Sequence, residues 1–153
     1  MDTTSLQGEH LQYWQAYCRK REQDPDVSVH AAMAGDKTIA DSLLSLYLQG
    51  KKTAGSGLVR DYVEAEDPLP KVGDYWIILN AQNIPKCIVR TVAVEIHLFK
   101  DVPLRIAVAE GEGDLSLEYW REGHRRFFEK YFVLDNLDEE QIITEFFEVV
   151  YSK

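Results

Sequence analysis

Apolar residues recur along this chain at two periods, and the switches between them outline its elements. Over residues 6–23, Leu6, His10, Tyr13, Trp14, Tyr17 and Cys18 fall three and four apart, while Glu9, Gln12, Gln15 and Arg19 point elsewhere. That spacing predicts an amphipathic helix ending near Asp24-Pro25. A second helix is expected from Asp36, a suitable cap, through Ile39, Leu43, Leu46 and Tyr47, with Ala40, Leu44 and Leu48 widening its apolar face and Gly50 closing it at C′. The period then falls to two. Residues 57–62 read as a short strand, the acidic 64–70 segment as a proline-stiffened crossing, and Tyr75-Trp76-Ile77-Ile78-Leu79 as a buried strand. Asn80-Ala81-Gln82-Asn83 turns the chain into a long strand over 86–99, with Ile88, Val92, Val94, Ile96 and Leu98 sharing one face. A short helical turn through Ala109 follows. The helical period returns over 116–132 (Leu117, Trp120, His124, Phe127, Phe128, Tyr131), and residues 142–151 read as a final strand.

This is an α+β pattern, and its length of 153 residues with 45% hydrophobic content suits one well-buried domain. Residues 23–35, rich in Asp, Ala and Pro, read as linker-like, which divides the chain into an N-terminal helical extension over 1–35 and a main domain over 36–153. The formal charge of −9 disfavours broad, non-specific binding to a polyanion and leaves room for a local pocket that takes one nucleotide or a small polar molecule. Cys18 and Cys87 stand far apart without neighbours at zinc-ligand spacing, so neither a disulfide nor a metal is indicated. No basic-then-apolar leader and no 18-residue apolar run is present, so the expectation is a cytoplasmic protein without a membrane partner.

Candidate chemistry gathers in two stretches. Gly50-Lys51-Lys52-Thr53-Ala54-Gly55-Ser56-Gly57 packs two amines, two hydroxyls and glycines against the end of a rigid helix, as an anion or polar-ligand loop does. Glu110-Gly111-Glu112-Gly113-Asp114 precedes a helix, where Asp114 is an ordinary N-terminal carboxylate. Glu110 and Glu112 are free to meet a cation, a ligand's donors, or the amines of Lys51 and Lys52. Calcium is disfavoured by the spacing. Glu95 and His97 lie two apart on one strand face as a possible acid/base pair, and Arg90 on the apolar face asks for a carboxylate, a ligand or solvent.

Taken in order, the helix running into Gly-Lys-Lys-Thr-Ala, the Leu-Pro-Lys-Val-Gly-Asp-Tyr turn, the run from Glu110 through Trp120 to His124 and the closing Phe-Glu-Val-Val-Tyr strand resemble the ASCH-domain family, in particular larger bacterial members with an extra N-terminal helix. The resemblance implies a PUA-like β-barrel with surrounding helices, and a cleft that recognises RNA or a modified nucleoside without a cofactor. On that reading Lys51, Lys52, Thr53 and Ser56 supply polar contacts, Tyr75 or Trp120 stacks on a base, and Glu112 or Asp114 accepts base amino groups. Related small proteins act as amidohydrolases on N4-acylated cytidine or as ribonucleases. The amidohydrolases resemble a Lys-Thr-x-Thr loop with a strand glutamate, and here Gly55 and Arg90 stand at the nucleophile and glutamate positions. A hydrolytic alternative would use Lys52 as base with Ser56 or Thr53 as nucleophile, or His124 with Lys52 for RNA cleavage. Binding therefore ranks above catalysis.

Overall fold

The computed structural model describes residues 6–21 and 27–152. Five strands form one sheet: β1 (Val29–Met33), β2 (Ala54–Leu58), β3 (Tyr75–Leu79), β4 (Pro85–Leu98) and β5 (Gln141–Ser152). Their order is β1-β3-β4-β5-β2, with β1 parallel to β3 and every other pairing antiparallel. The sheet curls into a half-barrel, and helices α1 (Gly8–Arg21), α2 (Ala40–Leu48), α3 (Val59–Glu64), α4 (Leu104–Glu110) and α5 (Leu117–Tyr131) surround it.

Strand alternation explains where the helices pack. Tyr75, Ile77 and Leu79 of β3 and Ile88 of β4 face α1, whose Trp14, Tyr17 and Cys18 complete that core. Ile78, Cys87 and Val89 point the other way, to Leu44 and Tyr47 of α2. Across β5, Ile142 packs with Leu58, Phe99, Ile106, Trp120 and Phe128, so β2, α4 and α5 share a third core. Full burial of each such aromatic or aliphatic side chain contributes about 1.5–3 kcal/mol.

Several sequence expectations change here. The 23–35 stretch is not simply a linker, since residues 29–33 are an edge strand of the sheet; residues 23–26, and the expected end of the first helix, lie outside the described residues. The short strand lies at Ala54–Leu58 rather than 57–62, and the residues after it turn into α3. Asp36 does not begin a helix: its side chain accepts from the backbone and hydroxyl of Thr38 in a turn that precedes α2. Gly50, at φ 74°, ends α2 as expected. On β4 the apolar face is interrupted. A register shift between Thr91 and Ala93 leaves Val92 without a strand partner, and β3 reaches only as far as Arg90, so Val92 and Ile96 stay exposed on a two-stranded extension. Arg90 meets the carboxylate of Glu148 across the strands at 3.8 Å.

Candidate functional site

A cavity of about 390 Å³ opens between α2, β2, the end of α4 and α5. The chain reaches its floor in two local steps. At the end of α4, Gly111 takes a left-handed φ of 71°, and a Cβ there would stand 2.1 Å from the Lys51 carbonyl oxygen. Only glycine lets the two backbones approach so closely. The Thr53 backbone N–H, at 2.7 Å, and its hydroxyl, at 3.1 Å, then both donate to the carbonyl of Ala109, which pins the segment before β2 to the end of α4.

That junction buries a polar network. Lys52 is 5% exposed and Glu110 2%. All three Lys52 ammonium hydrogens find oxygen: Glu112 Oε2 at 2.9 Å, Glu110 Oε1 at 3.2 Å and the Glu110 carbonyl at 3.4 Å. Glu110 Oε1 also lies 3.3 Å from His124 Nε2, while Oε2 accepts from Trp120 Nε1 at 2.6 Å and Ser56 Oγ at 2.7 Å. Each group is thereby compensated, as burial of an ion requires.

Proton positions follow from the partners. His124 Nδ1 is 2.8 Å from the carbonyl of Trp120, which only accepts, so Nδ1 carries a hydrogen. Burial alone would lower the His124 pKa, but the Glu110 carboxylate on the other ring nitrogen outweighs it and raises the value, favouring the imidazolium. Burial would likewise raise the Glu110 pKa; His124 and Lys52 reverse this and hold the carboxyl far below the usual carboxylate range. For Lys52, burial opposes the charge, while Glu110, Tyr47 and Glu112 raise its pKa and keep it an ammonium. Ser56 gives its one proton to Glu110, so the hydroxyl contact of 2.7 Å between Ser56 and the fully buried Thr144 has Thr144 as donor.

Of the residues expected at a site, the fold brings Lys52, Ser56, Glu112, Trp120 and His124 to this cavity. Among the three partners open to Glu110 and Glu112, the Lys52 amine is the one they meet. Tyr75 is elsewhere: it is buried against Trp14 and Tyr17 beneath α1 and cannot stack on a ligand here. Trp120 is also unavailable for stacking, because His124 lies parallel to its ring at 4.0 Å and the residue is almost fully buried. Asp114 accepts from the backbone of Ser116, the residue that caps α5, and does not line the cavity. Lys51 and Thr53 do not line it either. The His97 ring stands 3.6 Å from Glu95, but Glu95 is gripped by both guanidinium nitrogens of Arg105, away from the cavity.

Sequence reasoning missed the aromatic rim. Tyr119, 47% exposed, and Phe127 line the mouth, with Arg126 exposed beside them. Tyr119 was hidden in the sequence because it lies off the main apolar stripe of α5. Among the described residues, no group of three or more His, Cys, Asp or Glu side chains converges as a metal site would, and no helix is long and apolar enough to cross a membrane.

Residues 30–151 match the family model of the ASCH domain. Among solved structures, an ASCH domain from Lactobacillus crispatus is 27% identical, covers 99% of both chains and superposes with a TM-score of 0.87. A protein from Enterococcus faecalis is 34% identical over 90% of this chain and 85% of its own, with a TM-score of 0.78. A Zymomonas mobilis ASCH protein, at 12% identity, 82% and 71% coverage and a TM-score of 0.51, shares the fold alone. No curated protein matches the sequence.

Proposed function

Since the chain belongs to the ASCH-domain family, we propose that its cavity binds a nucleoside or a short segment of RNA. The observation that carries this reading is the pairing of an aromatic mouth with a fixed, partly exposed carboxylate over a floor of paired charges. The volume of about 390 Å³ is in the range of small-molecule sites, roughly 300–1,000 Å³. Tyr119 and Phe127 offer faces on which a base stacks. Glu112 keeps one carboxylate oxygen on Lys52, and the other accepts a base amino or imino hydrogen. Arg126 has no ion pair among the described residues and lies where a phosphate would enter.

The floor itself sets the Lys52 ammonium and His124, whose imidazolium the Glu110 carboxylate favours, against the carboxylates of Glu110 and Glu112. It therefore selects a polar ligand by hydrogen bonding and does not act as a basic sink for polyanions. Catalysis is less well supported. Amide hydrolysis asks Lys52 to take a proton from Ser56, yet two carboxylates hold Lys52 as an ammonium, and Ser56 already donates to the weakly basic Glu110.

The test is a thermal-shift series on the full chain with nucleosides, N4-acylated cytidines, nucleotides and short RNAs, with Glu112→Gln beside the wild type. A ligand that binds only the folded state raises the midpoint by mass action. One nucleoside class should raise it, with the shift reduced in Glu112→Gln. No shift from any of these ligands, or one identical in the variant, overturns the reading.

A further inference from the structure

A second cavity, of about 200 Å³, adjoins the first, and Ala34, Tyr47, Gly55 and Ser56 belong to the walls of both. Glu145, opposite Gly55 in the β2–β5 register and 6% exposed, lines only the second. Its Oε2 accepts from Trp76 Nε1 at 2.8 Å and Thr91 Oγ1 at 2.9 Å, which fixes the carboxyl group in place. Oε1 takes no hydrogen bond among the described residues. Tyr47, Tyr62, Trp76 and Phe147 contribute aromatic walls, and no lysine, arginine or histidine lines the cavity.

An open carboxylate oxygen beside aromatic walls is complementary to one ligand class. Aromatic faces attract cations through their quadrupole, and a carboxylate in a desolvated place gains most from a positive partner. A neutral ligand would leave the cost of ionising Glu145 uncompensated, and an anion would be repelled. We propose that this cavity is a subsite for a small alkylammonium group, whose N–H donors meet Glu145 Oε1 and whose alkyl part lies against the aromatic walls.

Binding is then linked to the proton on Glu145. Burial pushes this carboxyl up to about 7 despite the hydrogen bonds from Thr91 and Trp76, and the nearby Asp74 charge adds to the rise. Other titratable groups stand around it. Burial raises the phenols of Tyr47, in α2, and Tyr62, in α3. His30 of β1, stacked on Trp76, has its pKa lowered by burial, and Lys71 is tied to Asp74 at 3.2 Å. A cation that requires ionised Glu145 thus binds fully above the folded pKa and progressively less below it.

The experiment is an NMR titration of the full chain with propylammonium chloride, with 1-propanol as the neutral isostere and Glu145→Gln as the variant. Expected is saturable binding of propylammonium that is about tenfold weaker at pH 6 than at pH 8, the change a carboxyl titrating near 7 imposes. Propanol should not saturate, and the variant should lose the propylammonium response. Equal binding of propanol, undiminished affinity in Glu145→Gln, or no saturable response at pH 8 in the wild type would each overturn the proposal. The wild-type comparisons decide even if the variant does not fold, and none of these outcomes depends on nucleoside binding next door.

Discussion

Glu110 and Lys52 meet at 3.2 Å in the interior although 58 residues separate them in the chain. The contact joins the end of α4 to the segment before β2, so it anchors the fold and forms the floor of the cleft. Removing one member leaves the others charged and dry. Glu110→Gln is therefore expected to destabilise the protein by about 3–5 kcal/mol, the usual result of breaking a buried ion pair. Urea denaturation checks this, and a loss below about 1 kcal/mol would show that the network tolerates the loss of the carboxylate shared by Lys52 and His124.

Stability should fall from mildly acid to mildly alkaline pH. His124, raised above its ordinary 6.5, stabilises fully below that value and loses its contribution as pH rises through the folded pKa. Glu145, raised from 4.5 to about 7, works in the same direction: its contribution is complete below 4.5 and gone above about 7. At 1.36 kcal/mol per unit, Glu145 alone accounts for a decline on the order of 3 kcal/mol. Glu110 acts oppositely, present above 4.5 and lost as pH falls towards its depressed folded value. Denaturation midpoints at pH 5, 6.5 and 8 should thus decrease in order, and Glu145→Gln should flatten the series. A rising series contradicts the assignment.

Two glycines at this site should respond in opposite ways to alanine. Gly111→Ala places a methyl group 2.1 Å from the Lys51 carbonyl at a left-handed φ, for an expected cost on the order of 3 kcal/mol. At Gly55 the added Cβ finds Phe147 at 3.5 Å and the Tyr47 hydroxyl at 3.6 Å, both ordinary contacts. Gly55→Ala, in a strand, should be neutral or stabilising by up to about 1 kcal/mol. Thermal midpoints of the two variants decide the matter.

Phosphate preference should reside in Arg126. For the nucleoside that binds, its 5′-monophosphate is expected to bind several-fold more tightly at low salt, with the advantage shrinking as ionic strength rises. Arg126→Gln should remove that difference and leave nucleoside affinity unchanged, which calorimetry of the four combinations measures. A phosphate advantage that survives in the variant would move the entry point elsewhere.

Much of the fold was legible because periodicity reports which face of an element is buried. The amphipathic stripe of α5, the buried strand at Tyr75–Leu79 and the glycine stop at Gly50 were all readable in this way. The strand at Val29–Met33 was not, since its Val-His-Ala-Ala-Met sequence has weak alternation and its parallel partner lies far along the chain. The site was half legible. Lys52, Ser56, Glu112 and His124 stood out by chemistry, whereas the roles given to Tyr75 and Trp120 assumed that an aromatic ring near a motif is exposed. Glu145 left a faint signal, a lone carboxylate alternating with Ile143 and Phe147 on one strand face.

By itself, then, the sequence determined the α+β class, most of the elements and the two polar segments that meet at the cavity, because local pattern and residue type encode burial and donor capacity directly. Only the tertiary structure decided that Lys52 is an ammonium held by Glu110 and Glu112, that Trp120 and Tyr75 are packed away, and that Glu145 faces a second cavity. The reason is that protonation state and accessibility depend on distances between elements far apart in the chain, and neither period nor composition fixes those distances.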